Sequence, residues 1–155
     1  MRIARIVSGG QTGADRAALD AAIAHGLEYG GWCPAGGWAE DLPDPPGLLV
    51  RYPGLCETSS ADPAMRTRLN VRDSHATVVV GGPGLSRGSD LAVETAVRLG
   101  RPYLLVVDEA DAVRCWLALL GSELTLNVAG PRERERPGVY AATWELLGTI
   151  LGLHA

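Results

Sequence analysis

A three-layer α/β fold with a mostly parallel central sheet and helices on both faces is predicted by three features of this sequence. Short apolar runs rich in β-branched residues alternate with segments of helical period. Glycine-rich turns follow two of those runs at once, at residues 8–13 and 81–89. The length of 155 residues, with 46% hydrophobic side chains, suits one domain with a substantial core, so a single domain over 1–155 is expected.

Residues 3–7 read as a buried strand, because Ile3, Ile6 and Val7 dominate a short run that stops at Ser8-Gly9-Gly10. A helix follows: Ala14, Ala17, Ala18, Ala21 and Ala22 recur at helical spacing until Gly26, and side chains that small let a helix lie close on a sheet. Residues 27–29 suit a brief second strand. From about 30 to 60 the composition shifts to Gly, Pro, Trp and acidic residues without a period, which predicts a long ordered loop serving as a functional cover or an oligomer contact.

Asp62-Pro63 has the form of an N-cap and a first-turn proline, opening a helix through about residue 73. Residues 77–80 make the clearest central strand. The helix after the second glycine-rich segment carries Ala92, Val93, Ala96 and Val97 as its inner stripe and Ser89 or Asp90 as its cap. Gly100 and Pro102 stop it before a strand at 103–107. Val113, Trp116, Leu117 and Leu120 mark an amphipathic helix closed by Gly121, residues 124–128 a strand, and Tyr140, Trp144, Leu147 and Leu151 a last helix. Strands separated by such helices pair in parallel through right-handed crossovers, an arrangement of the Rossmann-like kind.

Eighteen acidic residues against 14 basic ones, a net charge of -4, give no overall field for a nucleic-acid backbone or an anionic membrane, and neither partner is expected. Every basic residue is Arg, so a Schiff-base lysine and a P-loop lysine are both excluded. Cys33, Cys56 and Cys115 lack metal-knuckle spacing and their odd number argues against a disulfide framework, which suits a reducing compartment. With no run of about 20 apolar residues to span a bilayer, a cytoplasmic location is expected.

The chemistry-bearing residues gather at the strand-to-helix turns. Gly9, Gly10, Gln11, Thr12 and Gly13 lie between the first strand and the first helix, where converging amides and the helix dipole favour a phosphate. Gly82, Gly84, Arg87, Gly88 and Ser89 occupy the corresponding turn after the central strand, so both segments are expected to face one crevice at the carboxyl edge of the sheet. Neither matches GxGxxG or GxxxxGK[ST], so a dinucleotide or nucleoside-triphosphate motif is not claimed.

Arg16, Arg66, Arg72, Arg87 and Arg132 are candidates to neutralise a bound anion. Arg87 stands out for its place inside the glycine turn and Arg132 for following a strand. For an enzyme, Glu94 and Asp15 are the candidate acids or bases, against the plainer roles of an exposed helix residue and a helix-dipole partner. His25, His75 and His154 are too scattered for zinc and no serine sits in a nucleophile elbow. Cys33 is either a ligand contact or, more simply, a packed thiol.

The blocks Ile6-Val7-Ser8-Gly9-Gly10-Gln11-Thr12-Gly13-Ala14-Asp15-Arg16, Gly30-Gly31-Trp32-Cys33-Pro34, Ala39-Glu40-Asp41, Asn70-Val71-Arg72-Asp73-Ser74 and Leu126-Asn127-Val128-Ala129-Gly130-Pro131-Arg132-Glu133 resemble the molybdenum cofactor carrier family, in order and across nearly the whole chain. The resemblance implies a Rossmann-like fold related to the lysine-decarboxylase-like and DNA-processing-protein-A-like group, and a homo-oligomer, dimer or tetramer. It implies molybdenum cofactor, a phosphorylated pterin, as cargo, or otherwise a nucleotide-like phosphate ligand, and it adds Asn127 to the candidate binding residues.

Two alternatives remain at this point. One is a nucleoside-monophosphate-processing hydrolase like the related phosphoribohydrolases, although counting from Gly88-Ser89 places Ala92 where their carboxylate stands. The other is a ligand-sensing subunit.

Overall fold

The computed structural model describes residues 2–81 and 86–152. Five strands form one parallel sheet: β1 (Ile3–Val7), β2 (Glu28–Gly30), β5 (Ala76–Val80), β6 (Tyr103–Val106) and β7 (Leu124–Ala129), in the order β2-β1-β7-β5-β6. Starting the count at β7 turns this order into 3-2-1-4-5, the doubly wound arrangement, so the last strand here holds the central place usually given to the first. The strand order switches between β7 and β5, and that is where such sheets open a crevice at their carboxyl ends.

Helices cover both faces. On one side α1 (Ala14–Ala24) packs against α6 (Val139–Ile150), which also meets α5 (Ala110–Leu120); on the other, α3 (Pro63–Arg72) packs against α4 (Arg87–Leu99). All five alanines predicted to line α1 are fully buried, because the helix is covered from two directions. The sheet side of the main core runs through Ile6, Val78, Val80, Leu126 and Val128. A smaller core beneath α3 and α4 joins Val71, Val79, Ala92 and Ala96.

The second cover on α1 comes from residues 30–60, where the sequence predicted a long loop. The segment is instead threaded with short elements: β3 (Trp32–Cys33) and β4 (Cys56–Glu57) in a parallel pair, a 3-10 turn at Ala35–Gly37, and one helical turn, α2 (Leu48–Arg51). Elements of two to four residues show no period, which is why the sequence hid them. Their side chains close a third core of Leu19, Cys33, Ala39, Leu48, Tyr52 and Leu55.

Asp20 clamps this segment, accepting bonds of 2.5 Å from Tyr52 Oη and from Tyr140 Oη of α6. Burial first, then the bond to Asp20, pushes both phenols up in pKa, Tyr140 to about 12. Asp20→Ala is expected to cost about 2–4 kcal/mol in urea unfolding, since two hydroxyls lose a charged acceptor. A loss under about 0.5 kcal/mol would mean that water replaces the carboxylate at no cost.

Helix α4 begins one turn earlier than predicted. Ser86 is its N-cap, accepting from Ser89 N at 3.0 Å, so Ser89 lies inside the first turn and does not cap it. Val97, assigned to the inner stripe, is 62% exposed; Ala92, Thr95 and Ala96 face inward instead. On α6 the buried face is Val139, Thr143, Leu146, Leu147 and Ile150, which leaves Trp144 half-exposed. Among the described residues no helix is long and apolar enough to cross a membrane.

Candidate functional site

The carboxyl ends of β1, β5 and β7 open into a cleft of about 850 Å³. The turn after β1 supplies Gln11 and Asp15 to its wall, and the connection after β7 supplies Gly130, Arg132, Arg134 and Glu135. The first turns of α3, from Asp62 to Arg68, and of α4, from Ser86 to Glu94, form the opposing sides. A recess of about 30 Å³ lies beside it, lined by Gly9, Asn70, Asn127 and Val128 and sharing Asp15, Arg66, Gly88 and Gly130 with the cleft. The volume lies in the range of small-molecule sites, and the position is the switch point of the sheet.

At Gly10 and Thr12 the first glycine turn spends its amides on protein acceptors, contrary to the sequence expectation. Gly10 N donates to Ser8 Oγ at 3.2 Å, Thr12 N to Gln11 Oε1 at 3.0 Å, and Ala14 N to the Pro131 carbonyl at 3.2 Å. The connection after β7 lies directly on Gly13, where an added Cβ would stand 2.4 Å from Pro131 O. The Ala14 N–H at the start of α1 is thereby taken by a protein carbonyl. Local sequence could not reveal this, because the covering segment is more than a hundred residues away.

What the turn delivers is side chains. Asp15 is buried, 3.9 Å from Arg66 Nη1, too long for a direct hydrogen bond. Burial is the largest influence on its carboxyl and raises the pKa to about 6, against the pull of Arg66, the Gln11 backbone N–H, Arg16 and Arg132. A carboxyl so displaced in a cleft is a mark of functional sites.

Gln11, only 2% exposed, turns Oε1 to two protein donors, Thr12 N and Glu40 N at 3.1 Å. Its Nε2 is buried without an acceptor. Since a flipped amide would set NH₂ against two N–H groups, this orientation is fixed by the network.

Arg66 lies across the backbone of Gly9, donating from Nη1 to Gly9 O at 2.9 Å. A Cβ on Gly9 would fall 2.5 Å from Arg66 Cδ, so the close approach needs glycine. Burial, the dominant influence, lowers the pKa of this guanidinium, while Asp15 opposes the shift. The sequence named Arg66 among five arginines and set Arg87 and Arg132 above it. The missed signal was Gly9, whose bare backbone makes room for a side chain from α3.

Other candidates divide between site and scaffold. Arg87, Gly88 and Glu94 line the cleft from α4, and Asn127, held to Thr77 Oγ1 at 3.3 Å, lines the recess. Gly82 and Gly84 lie outside the described residues.

Arg16 lines neither the cleft nor the recess. It donates to Gly10 O and grips Asp41 with a two-pronged pair at 2.9 and 2.8 Å, pinning the 39–41 segment. Thr12 Oγ1 likewise donates to Glu40 Oε1 at 2.9 Å. Arg132 borders the cleft, but its guanidinium bonds Glu40 Oε2 at 3.1 Å and lies over Trp38. Ser89 is covered beneath Ser86. Arg72 pairs with neighbouring Asp73 at the surface, and Cys33 is a packed thiol that burial pushes up to about 11.

Chemically the cleft has two ends. Its inner end holds an ionisable carboxyl, a buried guanidinium and an amide donor lacking an acceptor. At the mouth stand the N-termini of α3 and α4 with Arg68, Arg87, Arg132 and Arg134, alongside Asp62, Asp90, Glu94 and Glu135. Charges there balance, so oxyanion binding would draw on oriented N–H groups and guanidinium forks and not on a net positive field. Among the described residues no group of three or more His, Cys, Asp or Glu side chains stands together in a metal-binding arrangement.

The family model described as "Circularly permutated YpsA SLOG family" matches residues 6–151. A crystal structure of a "Putative molybdenum carrier protein" from Syntrophus aciditrophicus SB is similar at 38% identity and a TM-score of 0.86, covering 96% of this chain and 95% of that one. No curated protein sequence matches. The permutation in the family's description agrees with the sheet, in which β7 takes the first strand's place.

Proposed function

This chain belongs to the circularly permuted YpsA SLOG family, and from that premise we propose that it is a carrier that holds a phosphorylated pterin of the molybdenum cofactor type in the cleft at the switch point, without turnover. One observation carries the reading: Asp15 from the turn after β1 and Gly88 from the start of α4 border both the cleft and its recess, over the buried Arg66, with Gln11 beside them on the cleft and Gly9 on the recess. The cargo's phosphate belongs at the mouth, where the first turns of α3 and α4 bring Arg68 and Arg87, and its ring system at the inner end. The name of the Syntrophus relative, a molybdenum carrier, supports a cargo that contains molybdenum. A nucleotide-like phosphate ligand would use the same two ends.

The test is retention. Protein mixed anaerobically with molybdenum cofactor and passed through a desalting column is expected to elute with molybdenum and pterin together, and the bound cofactor to oxidise more slowly in air than the free one. Arg66→Ala, with its fold verified by circular dichroism, should retain less. Separate elution with unaltered oxidation would refute the carrier reading. Release of a free base from nucleoside monophosphates, lost in Glu94→Gln, would replace it with a hydrolase.

A further inference from the structure

Two polar groups on the wall of the cleft keep hydrogen-bonding capacity to spare, and both come from the same turn. The Asp15 carboxyl is buried, faces the backbone N–H of Gln11, and receives no side-chain hydrogen bond among the described residues; Arg66 spends Nη1 on Gly9 O and stays 3.9 Å away. Gln11 Nε2 is a buried donor with no acceptor. Buried polar groups of native proteins are nearly always satisfied, so an unpaired donor on the same cleft wall as a carboxylate with lone pairs to spare describes the complement of a bound group.

We propose that Asp15 and Gln11 read the 2-amino-4-oxopyrimidine edge common to pterins and guanine, the carboxylate accepting from the exocyclic amino group and adjacent ring N–H while Gln11 Nε2 donates to the ring carbonyl. This specificity rests on the cleft described under Proposed function and names the heterocycle that the cleft selects. The match follows from donor order: that edge presents donor, donor, acceptor, and the two side chains offer acceptor, acceptor, donor. Adenine presents a ring nitrogen lone pair where the carboxylate requires an N–H, which sets two acceptors against each other in a desolvated site.

Hypoxanthine keeps the ring N–H and the carbonyl but lacks the amino group, so it satisfies one carboxylate oxygen fewer. The amide of Gln11 cannot rotate to accommodate adenine, because Thr12 N and Glu40 N hold its oxygen. A site built to hydrogen-bond a polar edge rejects the analogue lacking it strongly, because its own buried groups are then left open.

Calorimetric titration with four probes, neopterin monophosphate, GMP, IMP and AMP, tests this directly. Neopterin monophosphate and GMP are expected to bind about tenfold or more tightly than AMP, with IMP between them. Asp15→Asn and Gln11→Glu should each reduce the preference for GMP over AMP to about twofold or less. Equal affinity for GMP and AMP, the result if water satisfies both groups, overturns the base-edge reading and leaves the phosphate-binding cleft standing. Failure of all four probes overturns it as well, and the molybdenum retention experiment then decides whether the carrier reading falls too.

Discussion

Asp15→Asn is expected to be more stable than the parent protein near neutrality, by up to about 3 kcal/mol, the free energy of a shift of about two pKa units. In the folded chain the Asp15 pKa rises from its ordinary 3.8 to about 6, chiefly through burial. Between those values the folded state holds a proton that the unfolded chain has released. Stability contributed by the protonated carboxyl is therefore complete below about pH 4, falls as the pH rises through 6, and is gone above it. The asparagine variant resembles the protonated form at every pH, so its advantage should vanish near about pH 4 and be full near about pH 8.

Urea unfolding of both proteins across that range measures the difference. A variant no more stable at about pH 8 would show that Arg66, at 3.9 Å, already offsets the buried charge. A protein that keeps a destabilising carboxylate at the floor of a cleft fits the usual exchange of stability for function. The account therefore predicts that the stabilised variant loses its preference for the pterin or guanine edge.

Gly13→Ala is expected to cost about 3–5 kcal/mol, placing it among the strongly destabilising single substitutions. Gly13 has φ 83° and ψ -129°, a conformation that L-residues avoid, and its would-be Cβ meets only backbone: Pro131 O at 2.4 Å and Glu133 N at 2.7 Å. Backbone atoms cannot swing aside as a flexible side chain does. Gly26→Ala is the control. That residue has φ +68° with open space around it, so it should lose only about 1–2 kcal/mol, the cost of the left-handed conformation alone. Equal losses at the two positions, read from thermal or urea unfolding, would mean that the β7–α6 connection moves off the helix freely.

Gly13 also marks where local reading of the sequence stops. Strands β1 and β5 and helix α3 were legible because their signals are local: β-branched runs closed by glycine, and Asp62-Pro63, whose Asp62 does accept from Ala64 N at 3.0 Å. The placement of β7 between β1 and β5 has no local signature, and neither has the packing of residues 130–133 on the first helix. Glycines at 10 and 13 therefore suggested a phosphate cradle, whereas Gly10 and Gly13 serve strained backbone pressed by Leu48 and by the Pro131–Glu133 connection.

Asp15 and Gln11 were visible as residues of that turn. Their importance depends on burial and on partners 29 residues or more away, such as Glu40 and Arg66. Val97 misled for a related reason. Helical spacing identifies a stripe, but only tertiary packing decides how far around the helix the stripe extends, and here alanines and a threonine take the inside.

The binding account rests on the cleft beside β7 and β5 being where the ligand sits. A crystal structure of the protein grown with neopterin monophosphate tests that most directly. The account predicts the heterocycle against Asp15 and Gln11, with its phosphate toward the first turns of α3 and α4. Ligand density on the outer surface, with the cleft holding only water, would contradict it.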